Sequence, residues 1–439
     1  MKEKEENSQK IKKITKEHTG IFKDKSLIEN FIDAHGLEVD VDSLEEIVKE
    51  FFLLYLDEVI KKDKKNSKKQ YKKSEVDDIR EQQLNNQQNK LDKKVDTKLS
   101  PSIIKKNNYI KWLHLSDFHI KPNEAYKTSQ IFRALQKDIK KLMEDHSISS
   151  FDFIIITGDL AYFGKNVDYT DVASLLDDIL DYTNTPKERL FIVPGNHDVD
   201  RNIVEQQKHQ LKTDWKSEDD AVNFLNGDKT ILEGFFKKFK GYSDFIDNYF
   251  GGNRVFTPTL NFSTHYLEIE GTKVALIGLN SCLKSGEDGE EGKLMITQDQ
   301  LDKALYNFTK KGDLKCDLDD IPIKICFFHH PLEFIEKNES KKDKVIILQN
   351  FDFLLNGHIH DSAYYILNSK GNYEIITIIA GSTFIRNPGR GKQCYNIIKI
   401  DSKNLEGYGY FRKFEEGAHY WAIDTSVCQG TGTVEVKLR

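Results

Sequence analysis

A chain of 439 residues, 38% apolar and 31% charged, is long enough for two or three domains with a sizeable core. It holds no apolar run that would span a bilayer, and the opening MKEKEENSQK lacks an apolar h-region, so neither a membrane anchor nor a secretory signal is expected. A net charge of −6 argues against a polycation that coats nucleic acid. The five scattered cysteines, Cys282, Cys316, Cys326, Cys394 and Cys428, contain no CxxC, which argues against a zinc ribbon or disulfide framework and suits the cytoplasm.

In chain order, residues 1–60 read as a small helical module. Leu27, Ile28, Phe31 and Ile32 recur at helical spacing, and a second pattern runs from Leu44 through Phe51, Phe52 and Tyr55 to Ile60. Such a module is too small for its own core, so residues 20–60 are expected to dock on a protein partner, on a second copy, or back on the main domain. Residues 61–108 carry 15 Lys/Arg against 7 Asp/Glu, a local balance of +8, with few large apolar side chains. This reads as a basic low-complexity linker, with contact to nucleic acid as the other reading.

From residue 109 to 439 the texture is that of an α/β domain. YIKWLHLS, FDFIIIT and RLFIVP are strand-like runs separated by helical stretches at Ile131–Met143 and Val172–Tyr182. A helical insertion at 200–254 follows, with Phe224, Phe235, Phe236, Phe239 and Phe245 on its apolar side. Strands resume at HYLEIEG, KVALIGLN and IKICFF, with a helix at Gln298–Leu305 between the last two. The remaining hundred residues are mainly strand-like, and the aromatic tail FRKFEEGAHYWAIDTS is expected to close the second sheet. Tyr410, Phe411, Phe414, Tyr420 and Trp421 are read there as core rather than as a base-stacking platform.

Each apolar run ends in a polar cluster. LHLSDFHI supplies Asp117 and His119; IIITGDLA supplies Asp159 after Gly158; IVPGNHDVD supplies Asn196, His197 and Asp198. CFFHHPL supplies His329 and His330, and LLNGHIHD supplies His358 and His360. Any one of these alone is an ordinary turn or a hydrogen-bonded histidine. Five together, each closing an apolar strand, point to one site, because such groups are costly there unless paired or coordinated. His114 is left as structural.

The order DxH, GD, GNHD, H and GHxH resembles the signature of the calcineurin-like metallophosphoesterases, over Tyr109 to about Phe414. The resemblance implies a four-layer α/β/β/α sandwich of two mixed sheets with two divalent cations between the strand ends. Carried over, Asp117, His119 and His360 would hold the first cation, Asn196, His329 and His358 the second, and Asp159 both. His329 is taken before His330 because the family's ligand precedes an x-Pro step. Mixed carboxylate, imidazole and amide donors suit Mn, Fe, Zn or Ni better than Ca or Mg, with Mn preferred. Two cations roughly 3.5–4 Å apart clamp an in-line displacement at phosphorus and bring a bridging water toward hydroxide, which would be the nucleophile. His197 would serve the leaving oxygen as general acid, with Asp198 orienting its ring.

GDLAYFGKNVDY, GLNS and HHP look like the branch related to cyclic-nucleotide phosphodiesterases, and the insertion is placed to cap the site. The expected activity is therefore phosphodiester hydrolysis on a nucleotide-type substrate, with Arg386 reaching a substrate phosphate. A nuclease acting on DNA or RNA is the alternative of the same chemistry. A partner-recruiting scaffold is the alternative of another class. The Lys-, Asn- and Ile-rich usage suits a bacterial genome.

Overall fold

The computed structural model describes residues 109–122, 129–214, 217–286, 289–368, 373–384, 391–428 and 432–438. The helical module at 1–60, the linker at 61–108 and Arg386 lie outside the described residues.

Among the described residues, thirteen strands make two mixed sheets. In the first, β1 (Tyr109–Leu115), β2 (Phe153–Ile156) and β3 (Leu190–Ile192) run parallel, in the order β12-β11-β10-β1-β2-β3. Here β10 (Cys394–Asp401) is antiparallel to β1, β11 (Glu406–Glu415) to β10, and β12 (Tyr420–Ile423) and β13 (Val434–Lys437) both pair with β11. In the second, β5 (Thr272–Gly278), β6 (Ile323–Phe327), β7 (Phe353–Asn356) and β9 (Glu374–Ala380) are parallel. Antiparallel β4 (Ser263–Ile269) and β8 (Ser362–Asn368) form its edges.

Period-2 alternation makes this a sandwich. Along β1 and β2, Ile110, Trp112, Phe153 and Ile155 face inward with Val274, Leu276, Ile325 and Phe353 of the other sheet. Trp112 joins the two sheets: its ring stacks on Phe153 at 5.4 Å and meets Phe353 edge-on at 5.2 Å. Leu113, Leu115, Ile154 and Ile156 point the other way, under α1 (Gln130–Asp145) and α2 (Tyr169–Thr183). On the outside of the second sheet, Ala275, Ile277, Cys326 and Leu354 are covered by α7 (Gln298–Asn307) and α8 (Lys337–Asn350). The four layers expected from the sequence are present.

The insertion folds as α3 (Arg201–Asp214), α4 (Glu218–Leu225), α5 (Lys229–Phe236) and α6 (Lys240–Tyr249). Asp228 caps α5 by accepting from the N–H groups of Thr230 and Ile231. Phe235, Phe236, Phe239, Tyr242, Phe245 and Ile246 are buried in the same core as α2, so the segment is anchored in the outer layer. The aromatic tail departs from expectation. Its strands β11 and β12 extend the first sheet, because β10 turns antiparallel onto β1 and carries the tail with it. Phe411, Phe414 and Trp421 are core, as expected, but Tyr420 is 54% exposed on the edge strand.

Candidate metal centre

The five polar clusters all lie where parallel strands end at their carboxyl termini, after β1, β2 and β3 of one sheet and β6 and β7 of the other. Open α/β sheets place ligands at such ends, because the chain there leaves the ladder and is free to turn inward. Backbone hydrogen bonds tie the clusters together: Asp117 N–H donates to the Gly158 carbonyl at 3.0 Å, and His119 N–H to the Asp159 carbonyl at 2.9 Å. Gly357 N–H donates to the His329 carbonyl across the second sheet at 2.9 Å.

The local backbone is unusual. Asp117, His119, Asp159, His358 and His360 all have positive φ, from 48° to 70°. That region is sparsely populated by residues with a side chain and costs of order 1–3 kcal/mol each, and such strain collects at functional sites. Gly195 permits a close approach: a Cβ there would stand 2.1 Å from Asp159 Oδ1. Gly158 has φ of 91°, and a Cβ on it would press on Gly195 and His329.

The side chains form two facing groups. In one, Asp117 Oδ1 lies 3.1 Å from His360 Nε2 and 3.6 Å from His119 Nε2, and the two imidazole nitrogens are 3.2 Å apart. In the other, Asn196 Oδ1 lies 3.1 Å from His329 Nε2 and 3.2 Å from His358 Nδ1. Asp159 Oδ2 sits between them, 3.7 Å from His119 Nε2 and 3.4 Å from His329 Nε2. Two imidazoles aimed nitrogen to nitrogen beside a carboxylate, and two more aimed at one amide oxygen, are donor sets that suit a transition-metal cation. The grouping Asp117, His119, His360 and the grouping Asp117, Asp159, His329 both have their ligand atoms within 4.8 Å of one another.

Neighbouring groups set the orientation of these donors. His329 Nδ1 lies 2.6 Å from the Thr157 carbonyl, which only accepts, so Nδ1 carries a proton and Nε2 is turned toward the site. Asp117 Oδ2 accepts from the Ser116 hydroxyl at 2.5 Å and from the His358 N–H at 3.1 Å, leaving Oδ1 for the site. Sequence reasoning missed Ser116 and Thr157; no feature of their one-letter neighbourhood marks them. His330 is buried, with its Nδ1 2.8 Å from Ser281 Oγ, and it also groups with His329 and His358, their ligand atoms within 4.8 Å of one another.

Electrostatics divides the cluster. Burial pushes the carboxyl of Asp117 up, but His119 and His360 outweigh it and hold the group well below the ordinary carboxylate range. Asp159 is lowered in the same way, chiefly by His329 and His197. The His329 imidazole is desolvated, yet Asp159 raises it to about 9. Burial, followed by His330 and His329, drives His358 down to about 2.

His197 is only partly buried and faces His119 edge-on at 4.6 Å. The expected contact from Asp198 to its ring is not formed. His197 Nδ1 instead donates to the Tyr162 carbonyl at 2.9 Å. The Asp198 carboxylate accepts from the N–H groups of Leu160, Ala161 and Gly195 and from the Tyr169 hydroxyl, at 2.9–3.2 Å. Those four donors exhaust it, and the single helical turn Asn196–Asp198 directs the two side chains to different places. His114 is fully buried, 3.1 Å from the Thr157 hydroxyl and lowered to about 3 by burial.

A sequence model of the calcineurin-like phosphoesterases matches residues 110–362. Among curated proteins the chain is similar to an uncharacterized metallophosphoesterase-like protein, YydB, of Bacillus subtilis strain 168. The two are 28% identical over 279 residues, which is 62% of this chain and 53% of that one, so the chain spans about half the length of this relative. Solved structures with a likeness include a predicted phosphoesterase of Streptococcus pneumoniae TIGR4, at 13% identity and a TM-score of 0.27 over 75% of this chain and 98% of that one. Vacuolar Protein Sorting 29 of Cryptosporidium parvum follows at 12% identity and a TM-score of 0.31, over 75% and 98%. A 5'-nucleotidase of Candida albicans SC5314 shows 13% identity and a TM-score of 0.34, over 68% and 48%.

Proposed function

The chain belongs to the calcineurin-like phosphoesterase family, and from that membership we propose that it is a phosphodiesterase acting on a nucleotide-type substrate at a centre of two divalent cations, manganese preferred. The observation that carries this reading is the position of Asp159, whose Oδ2 lies between the His119 and His329 imidazoles, within 3.7 Å of each. Asp117, His119 and His360 would hold one cation and Asn196, His329 and His358 the other, with Asp159 common to both. When bound, such a pair neutralises phosphoryl oxygens and lowers the pKa of coordinated water.

The chain's own groups supply the rest. His197 is held through Nδ1–H by the Tyr162 carbonyl, which leaves Nε2 to carry a proton to the leaving oxygen. Asp198 is a positioning residue: by accepting from Gly195, Leu160 and Ala161 it locks the turn bearing Asn196 and His197 against the turn bearing Asp159. The likeness of GDLAYFG to the cyclic-nucleotide branch supports a diester over a monoester. Arg386 is proposed to contact a substrate phosphate.

Hydrolysis of bis-p-nitrophenyl phosphate and p-nitrophenyl phosphate with Mn²⁺, by wild type and Asp159→Asn, tests the reading. Diester turnover that disappears in the variant supports it; monoester turnover alone, or turnover unaffected by Asp159→Asn, removes it. The basic stretch at 61–108 favours a nuclease as the second reading. Cleavage of DNA or RNA that weakens steeply with added salt would select it.

A further inference from the structure

A cavity of about 180 Å³ opens between α6, the loop after it and the edge of the second sheet, apart from the metal centre. Its walls are mostly apolar: Val193 and Pro194 after β3, Ile246 and Phe250 at α6, Phe256 and Leu260 on the loop. Apolar pockets with a few converging polar atoms are the ordinary form of a small-molecule site.

Two polar atoms in this lining lack a hydrogen-bond partner among the described residues. Asn261 is 8% exposed, and its Nδ2 donates to the Pro258 carbonyl at 2.9 Å, which fixes the amide and leaves Oδ1 buried with no hydrogen bond. Ser263 Oγ is likewise buried without one. A buried acceptor with no donor is destabilising, and a donor inside the cavity removes that penalty.

The charged neighbours restrict what fits. Arg254 also lines the cavity, but its guanidinium donates to the Leu190 and Glu188 carbonyls and lies over the Phe250 ring at 4.2 Å. Its fixed charge repels a cation, while the Asn261 carbonyl oxygen repels an anion. His265, beside Phe191 at 4.6 Å, is desolvated and stays neutral. Neither wall offers a compensated place for a charge.

We propose that this cavity binds a small uncharged molecule with a flat apolar body and one N–H or O–H donor. The body rests against Phe250, Phe256 and Leu260, and the donor is shared by Asn261 Oδ1 and Ser263 Oγ. The site is separate from phosphoester hydrolysis and stands or falls by binding alone.

The test is calorimetric titration of the full chain with indole and with N-methylindole, which keeps the body and loses the donor. Indole is expected to bind roughly tenfold more tightly, the difference one hydrogen bond makes. Asn261→Leu should abolish that preference, and Leu260→Trp, at a 47% exposed rim position, should block both compounds while leaving the thermal melt intact. A cavity that holds water only would bind neither compound, and that overturns the proposal. Equal affinities in the wild type, or a preference that survives Asn261→Leu, also overturn it.

Discussion

The backbone N–H of His197 donates to Asp159 Oδ1 at 2.7 Å. One carboxylate therefore serves both the turn carrying the proposed acid, through Oδ1, and the imidazoles of His119 and His329, through Oδ2. Asp159→Asn keeps the shape but removes the charge that both imidazoles face. Bound Mn²⁺ per chain, read by elemental analysis, is expected to fall, and diester turnover to drop by at least ~100-fold. Full metal loading with unchanged turnover would remove Asp159 from the centre.

His197→Gln should behave differently. The proposed metal donors are untouched, so Mn²⁺ content should hold while kcat falls by roughly 10²–10⁴. The loss should be smaller for a p-nitrophenyl ester, whose leaving group needs no proton, than for an alkyl ester. Equal losses on both esters would mean that His197 does not act as an acid.

Asp138 on α1 binds Arg412 through two hydrogen bonds, at 2.6 and 2.8 Å, and accepts from the Tyr395 hydroxyl at 2.5 Å. Removing the buried carboxylate strands the guanidinium of β11 and the hydroxyl of β10. Asp138→Ala should cost about 3 kcal/mol in urea unfolding. Asp138→Ala with Arg412→Met should cost less than the sum of the two single changes. Additive costs would show that the pair is not coupled.

Lys238 is fully buried under Phe235 and Phe239, donates to the Leu283 carbonyl, and has its amine pushed down to about 7 by burial. In the unfolded chain the same amine titrates near ~10.4. Between those values the unfolded state binds more protons, so this group makes stability rise as pH goes from about 7 to 10, and its contribution is flat below 7. The urea midpoint of the wild type relative to Lys238→Met should therefore climb from pH 7 to pH 9. A constant difference would show that the amine keeps its ordinary pKa.

The strands were legible because their residues alternate. YIKWLHLS and FDFIIIT contain the inward and outward faces of β1 and β2 in order, and each polar cluster sits where such a run ends. That Asp117, Asp159, Asn196 and His329 meet follows from those ends being parallel. α8 was not legible: KNESKKDKVIILQN gathers its apolar residues in one short run and shows no helical stripe. Neither was the sheet to which the tail belongs, since pairing of β10 with β1 joins segments nearly 300 residues apart. Asp198 misled because adjacency to His197 suggests contact, whereas its partners include Tyr169, 29 positions earlier.

That pairing has a consequence for how the protein is made. Tyr109 opposes Asp401, and the Ser382 hydroxyl donates to the Asp117 carbonyl, so β1 and the turn bearing Asp117 are completed by the last quarter of the chain. At ribosomal speeds of 5–20 residues per second, on the order of fifteen to sixty seconds separate the emergence of β1 from that of its partner. Throughout that interval one edge of β1 is unpaired, an apolar template open to strands of neighbouring nascent chains. The newborn polypeptide thus depends on whatever shields that edge, and yield during expression should respond to translation rate and chaperone supply.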